Sequence, residues 1–474
     1  MGCRLKIKTV VGLASFFLSS TFVHSSVKEP PLTLAEVLDS VEACYPQIEV
    51  ARLEILKAQG NYLSARGQFD PKLNIYTNST PVGGYINNYG DTEIIVPTLM
   101  NGLTLFGGYR NGNGDWPVYY QNFLTNSGGE YRTGLSLPLM RDRDIDEQRT
   151  ALLTRKERIA LNQEALAETK IKIYHEAIQA YWQWVQAHLQ INVLNKLLQL
   201  AKIRQEAIEV QAKAGDLEAL VIAENLQQIM QRQQLVNEGK MIAAQASVRL
   251  SLYYRDNEGN PKPPNPSQIP QQITVPAPLS VESITGLYDQ IYFHPTLQKL
   301  GRQFQIMVLE RNLAQNALLP HLNASAYTTK QYGTGGYPLL IPQAVLAGVT
   351  FKFPVYQRVA KGRLINANSA LRQVDVEKKF LQDQLNTRLS ELLIAGETYH
   401  RQIKLLSKEL RLATKVQFGE SRRFHEGDST LFLVNQREQT TVQIELNVIR
   451  SKINLLKNYD LLRYYVSTSL PNQL

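Results

Sequence analysis

Any catalysis or metal binding in this 474-residue chain would rest on seven histidines, two cysteines and 42 acidic side chains. Their spacing offers no reaction. There is no Walker phosphate loop, no dinucleotide glycine fingerprint, no Gly-x-Ser-x-Gly elbow and no His-Glu-x-x-His zinc pair. His175 and His188 fall inside a long helical pattern and suit packing or a helix surface better than ligation. Tyr181, Trp182 and Trp184 beside them read as packing residues, not a ligand box. We therefore expect no enzyme, no metal and no cofactor. What remains is the chemistry of turns and charge. Two tripeptides, Ala214-Gly215-Asp216 and Glu426-Gly427-Asp428, each interrupt a long helical reading. Gly favours the left-handed residue past a helix end, and Asp is a preferred cap for the next helix.

The elements that carry these turns come twice. No proline occurs from Leu139 to Asn260, nor from Val355 to Leu470. Each run reads as a helical hairpin with a Gly-Asp tip. Pro46 and Pro71 are 25 residues apart, as are Pro295 and Pro320. At the common offset of 249, Ala65 falls on Ala314, Leu73 on Leu322 and Asn74 on Asn323. A repeat of short helix, strand, strand, long helix, tip and shorter helix must be settled before any site is placed.

Four stretches alternate apolar and polar residues. Leu73 and Ile75 share one face, as do Leu135 and Leu137, Leu322 and Ala324, and Val349, Phe351 and Phe353. Such strands fit a membrane barrel with lipid on one side and water on the other. A half-buried soluble sheet has the same period. Between the first two lies an insertion, residues 81–130, rich in Gly and Asn, with Thr92 to Val96 and Leu103 to Phe106 as possible extra strands; it fits either a large outer loop or an added hairpin. The long runs carry coiled-coil spacing. Its positions are Ile171, Tyr174, Ile178, Tyr181 and Val185, then Tyr399, Ile403, Leu406, Leu410 and Ala413, then Val442, Leu446, Ile449, Ile453 and Leu456.

Arg4, Lys6 and Lys8 precede an apolar run, the pattern of a secretory signal peptide. Its removal would take Cys3 and lower the net charge from +9 to about +6, so nothing points to nucleic acid. Cys44 would remain without a disulfide partner. No stretch approaches the ~20 apolar residues of a spanning helix. The expected organisation is a signal peptide over 1–25 and a first repeat over 26–254, with strands 72–80 and 131–140 and a hairpin over 141–254. A Pro-rich equatorial linker over 255–290 leads to a second repeat over 291–474. That repeat holds a helix at 295–318, strands 321–329 and 346–356, a hairpin over 357–466 and a C-terminal tail.

The fold class expected is mainly α with membrane β: duplicated long hairpins and four strands per chain. Four strands cannot close a barrel, for which about eight is the minimum. Open strand edges are not tolerated in lipid, so membrane strands would require oligomerisation into a tube.

The opening Leu32-Thr33-Leu34-Ala35-Glu36-Val37-Leu38, Tyr45-Pro46 and His294-Pro295, Leu318-Leu319-Pro320 and the two Gly-Asp tips resemble the TolC family of outer-membrane efflux channels. The resemblance covers essentially the whole mature chain. It implies a homotrimer in the outer membrane of a Gram-negative bacterium, with a twelve-stranded β-barrel and a periplasmic α-barrel. It implies a periplasmic adaptor (membrane fusion protein) docking at the tips, and indirectly an inner-membrane pump or ABC transporter of an efflux or type I secretion system. Ala214, Gly215, Asp216, Glu426, Gly427 and Asp428 would face the adaptor. Leu73, Ile75, Leu135, Leu137, Leu322, Ala324, Val349, Phe351 and Phe353 would face lipid. Many members place acids six and nine positions after the second tip glycine. Here Leu433 and Gln436 stand there, which departs from a carboxylate ring. Glu218 or Glu224 pairing with Arg422, Arg423 or Arg437 would form an alternative latch. The competing reading, an exported periplasmic coiled-coil scaffold or adhesion protein, leaves the doubled strands unexplained.

Overall fold

A computed structural model describes residues 30–214, 218–270, 273–335 and 343–466. The expected signal peptide, Gly215 and Asp216 of the first tip, and the tail after residue 466 lie outside the described residues. In chain order the main elements are α1 (Leu34–Cys44), α2 (Pro46–Arg66), β1 (Lys72–Thr80), β2 (Asn87–Pro97), β3 (Thr104–Gly114) and β4 (Glu130–Pro138). Then follow α3 (Glu147–Lys213), α4 (Ala219–Ser251), α5 (Val281–Gln290), α6 (Pro295–Asn316), β5 (His321–Gln331), β6 (Gln343–Lys352), α7 (Arg358–His425) and α8 (Leu431–Val466).

The expected prolines set the boundaries. Pro46 and Pro295 are the first residues of α2 and α6, where a missing N–H costs nothing. Pro71 and Pro320 immediately precede β1 and β5. At 67 and 68 residues, α3 and α7 are each ~100 Å long at 1.5 Å per residue. α1 opens on a capping box: Glu36 N–H donates to Thr33 Oγ1 at 3.2 Å and Thr33 N–H to Glu36 Oε2 at 3.0 Å.

The chain divides into two compact units. One comprises Leu53–Ala165 and Thr296–Leu381 and contains every strand. Its sheet runs β1-β2-β3-β4-β5-β6, with every neighbouring pair antiparallel. The expectation of four strands is thus corrected to six, because the 81–130 insertion supplies β2 and β3. β2 pairs along the whole of β1, from Lys72↔Ile95 to Thr80↔Asn87. These two strands are hard to see in the sequence because Gly90, Gly107, Gly108 and Gly112 interrupt their alternation.

Strand ends also move. The segment expected at 131–140 is β4 at Glu130–Pro138, and the one expected at 346–356 is β6 at Gln343–Lys352. Proline supplies no ladder N–H, so pairing weakens at Pro138 and ahead of Pro354. β5 continues to Gln331 rather than 329. The helix expected over 295–318 ends at Asn316, where tighter bonds such as Leu318 N–H to Gln315 O at 3.1 Å turn the chain toward Pro320. The corners leading into the long helices use left-handed residues, Asp142 at φ 68° and Gln357 at φ 52°. Both are tied to the end of α6: Asp142 N–H donates to Asn316 Oδ1 at 3.1 Å, and Gln357 Nε2 to Leu318 O at 2.7 Å. The hairpins expected from 141 and 357 accordingly begin their helices at Glu147 and Arg358.

The other unit holds the remaining described residues and is helical. Trp184, Val185, Ala177 and Ile178 of α3, Leu389 of α7 and Leu455 of α8 are fully buried. The linker expected over 255–290 is irregular only in its proline-rich part. Beyond Pro278, Ser280 accepts the Ser283 N–H at 3.2 Å and starts α5. On α8 the stripe buried in the chain is Leu431, Val434, Glu438, Thr441, Ile444, Val448, Ser451, Leu455, Asn458 and Leu462. Of the expected seam, only Ile453 is buried; Val442, Leu446, Ile449 and Leu456 are half-exposed. Polar side chains take part in the intrachain seam because they find partners there, as Thr441 Oγ1 does by donating to Arg437 O at 2.9 Å.

Candidate functional site

The sheet register assigns each strand residue to one of two faces, because directly opposed residues project to the same side. Leu73 opposes Ile94, Leu105 opposes Leu135, Leu135 opposes Ala326, Leu137 opposes Ala324, Ala324 opposes Val349, and Leu322 opposes Phe351. These residues therefore form one apolar band across the sheet. Leu73, Ile75, Val349 and Phe351 are exposed, and Leu137, Leu322 and Ala324 are half-exposed. Phe353 lies just past the last residue of β6, and its ring stacks on that of Phe351 with centroids 6.4 Å apart. Toward the loop end the same face carries Tyr109 and Tyr131, with ring centroids 4.8 Å apart, and Tyr332 stands 5.5 Å from Tyr131. Its single charged strand residue is Lys330, opposed to Tyr131.

All other charged strand residues lie on the opposite face: Lys72, Asp91, Glu93, Arg110, Glu130, Arg132 and Lys352. Arg132 Nη2 is 2.6 Å from Asp91 Oδ2 and 3.5 Å from Glu93 Oε1. Arg110 pairs with the buried Glu130 on the neighbouring strand. These pairs link β2, β3 and β4, and every acid in them comes from the insertion or the first residue of β4. The polar face is thus anchored by residues for which the sequence reading had no role.

The second hairpin tip is fully described. Asp428 N–H donates to Arg423 O at 2.8 Å and Gly427 N–H to Phe424 O at 3.1 Å, with Gly427 at φ 79°. That left-handed glycine ends α7 as expected. The cap of α8 is not Asp428. Thr430 Oγ1 accepts the Leu433 N–H at 3.4 Å, since Leu431 is the first helical residue. Asp428 instead binds back, its Oδ2 lying 3.4 Å from Arg423 Nε. Glu426, Gly427 and Asp428 are exposed, as are Ala214 and Glu218 beside the first tip. Glu218 caps α4 by position without a side-chain bond.

The expected latch does not form within the chain. Arg423 is engaged in its own hairpin, with Glu420 at 3.8 Å and with Asp428. Among the described residues, Glu218 and Glu224 make no ion pair with Arg422, Arg423 or Arg437. Leu433 is half-buried, and Gln436 and Arg437 are exposed.

A different charge cluster lies between α3, α4 and α8. The buried Glu438 accepts from Arg232 Nη2 at 2.8 Å and pairs with Arg204. Asn435 Oδ1 accepts from both guanidiniums, at 2.9 Å from Arg204 and 3.0 Å from Arg232. Arg232 also donates to Leu197 O at 2.9 Å. Burial pulls the Arg232 guanidinium below its usual range, while Glu438 opposes that shift. Sequence reasoning missed this cluster because its arginines lie more than 200 residues from Glu438 and, on amphipathic helices, read as solvated charge.

Among the described residues no group of three or more His, Cys, Asp or Glu could hold a metal, and no helix is long and apolar enough to cross a membrane. His188 Nδ1 is 3.0 Å from Trp184 O in the core, and Tyr181 Oη donates to Leu32 O at 2.9 Å. The sheet thus has one apolar face and one charged, ion-paired face.

Neither a protein-family model nor a curated protein sequence matches this chain. Solved structures match its fold. VceC, an outer membrane protein of Vibrio cholerae, superposes with a TM-score of 0.65 at 12% identity over 91% of this chain and 95% of its own. The CmeC outer membrane channel of Campylobacter jejuni gives 0.63 at 12% identity over 98% and 95%. The MtrE outer membrane channel of Neisseria gonorrhoeae, in its open state, gives 0.61 at 12% identity over 98% and 96%. The chain has the fold of the TolC-like outer-membrane channels.

Proposed function

We propose that this chain is one wall segment of an outer-membrane exit channel, assembled from three copies. The observation that carries the reading is the two-faced sheet with free edges. An apolar band with tyrosines at one end suits lipid, and the ion-paired face suits water. A flat soluble sheet would cover its apolar face; here β1 and β6 are exposed almost throughout. Six strands place β1 and β6 in opposite directions, so joining β6 of one copy to β1 of the next continues the antiparallel ladder. Closure is required, since lipid tolerates no unpaired edge.

Three copies close eighteen strands, in place of the twelve that a four-stranded chain would provide. Passage through such a wall is passive, and binding one would need no catalytic group. In this reading the outer membrane holds the sheet and the periplasm holds the long hairpins. The tips at Ala214 to Asp216 and Glu426 to Asp428 meet a periplasmic adaptor of a tripartite efflux pump or a type I secretion system. Glu218, Glu224, Arg422 and Arg437 are then available to pair between copies.

Membrane fractionation tests the reading. The protein should extract from outer membranes only with detergent, migrate as a heat-modifiable trimer and conduct ions in planar bilayers. Release by osmotic shock as a non-conducting species would instead identify a periplasmic scaffold.

A further inference from the structure

The segment between β3 and β4 lays Trp116 and Phe123 on the charged face of the sheet. Tyr89, which is buried and belongs to that face of β2, has its ring 5.0 Å from Phe123 and 6.4 Å from Trp116. Trp116 and Phe123 stack on each other at 5.4 Å. Gly112, on the same face of β3, makes this approach possible. A Cβ at Gly112 would stand 1.9 Å from the Phe123 carbonyl oxygen, far inside any van der Waals contact.

Both ends of the segment are pinned: at its start Asp115 N–H donates to Ile86 O at 2.8 Å, and at its end Thr125, Ser127 and Gly128 are held. Thr125 N–H donates to Gly112 O at 2.9 Å, and Thr125 Oγ1 accepts the Gly112 N–H at 3.0 Å. Gly128 N–H donates to Tyr332 O at 2.9 Å and Ser127 N–H to Thr334 O at 3.1 Å, which ties the segment to the connection after β5. The middle, a short 3-10 turn at Val118–Phe123, leaves Val118, Tyr119 and Tyr120 exposed.

We propose that residues 115–129 form a fixed constriction at the outer mouth of the channel, which passes small or extended solutes and blocks folded polypeptides. The inference rests on the channel reading above. Where the apolar face meets lipid, the charged face encloses the lumen, and a segment lying on that face must occupy it. Barrels of 16–18 strands leave an aqueous channel unless something fills it. The insertion that widens this barrel therefore also carries the element that narrows it. Because the segment is bonded at both ends, the narrowing is permanent and independent of the tips.

The test uses a cysteine below the segment on the charged face, Ser325→Cys in a Cys44→Ser background. Ser325 Oγ donates to Gly348 O at 3.5 Å, on that face. Intact cells are treated from outside with a small maleimide and with a polymer-linked maleimide. Labelling by the small reagent with loss of labelling by the polymer is the expected result. Gly112→Val, or replacement of 116–123 by a Gly-Ser linker, should raise the polymer's labelling rate several-fold without changing the small reagent's rate. Equal rates for both reagents with the segment unaltered would overturn the constriction and leave the channel standing. That comparison needs neither loop variant, so a variant that fails to assemble does not weaken it. No labelling by either reagent until the membrane is dissolved would overturn the channel reading and the constriction together.

Discussion

Two carboxylates in the helical unit, the buried Glu438 and the half-buried Asp460, are held differently, and each makes a prediction. Glu438 is surrounded by two guanidiniums and an amide, so its charge is matched. Removing it with Glu438→Ala would strand Arg204 and Arg232 in a buried setting, at a cost of about 3 kcal/mol or more. The measurement is thermal melting of the helical signal in detergent; an unchanged midpoint would refute the network's role. Asp460 has one bond, from Trp182 Nε1 at 2.6 Å, and burial raises its carboxyl to about 6 despite that bond and the nearby Arg463. Its folded value lies above the unfolded one, so its protonated form stabilises the fold fully below about pH 4. That contribution is lost as pH rises toward 6, by roughly 3 kcal/mol, and stays lost above it. Asp460→Asn keeps an acceptor for the indole and removes the ionisation. The variant should melt higher than the parent at pH 7.5 and match it near pH 4; equal melting at both values would sink the assignment.

At the scale of elements, legibility followed periodicity. β1 and the interiors of the long helices were readable because their apolar residues recur at the period of two or of 3.5. β2 and β3 were readable only as short stretches of a possible hairpin, because glycine at Gly90, Gly107 and Gly108 removes the side chains that would mark the alternation. The α8 seam legible in the sequence is not the stripe buried within the chain, for a related reason. The most apolar stripe, through Val442 and Leu446, is half-exposed in a single chain, while the buried stripe tolerates Glu438, Thr441 and Asn458. A free apolar stripe on a long helix is the mark of a surface awaiting another helix. The charge pairs of the sheet were illegible because cross-strand register sets them, and register followed from the insertion. The two faces also predict opposite responses on one strand. Val349→Lys, in the apolar band of β6, should cost about 2–4 kcal/mol and reduce the trimer recovered from membranes. Thr350→Lys, one residue along on the opposite face, should assemble normally. Quantitative blotting of the heat-modifiable species compares them, and equal recovery would contradict the face assignment.

The whole molecule is constrained by what a single chain leaves unfinished. A six-stranded open sheet has two edges, and β1 and β6 present unpaired backbone donors and acceptors along nine and ten residues. In water such edges invite aggregation; in lipid they cost several kcal/mol per unpaired group. In the proposed channel the edges find each other, and the antiparallel relation of β1 to β6 allows a repeating ladder from copy to copy. The half-exposed stripe on α8 points the same way independently, since it too is incompletely covered by the described residues. A cysteine scan can read the junction directly. In a Cys44→Ser background, one cysteine is placed on the charged face of β1 at Asn74, Tyr76 or Asn78. A second is placed on the same face of β6 at Leu346, Gly348 or Thr350. Directly opposed residues across an antiparallel junction have Cβ atoms about 4.5–5.5 Å apart, close to disulfide reach, whereas a two-residue offset is not. One register should therefore yield a covalent trimer on oxidation, and pairs shifted away from it should not. A neutral junction through the helices alone would give no cross-link in any register, and the continuous barrel would then have to be abandoned.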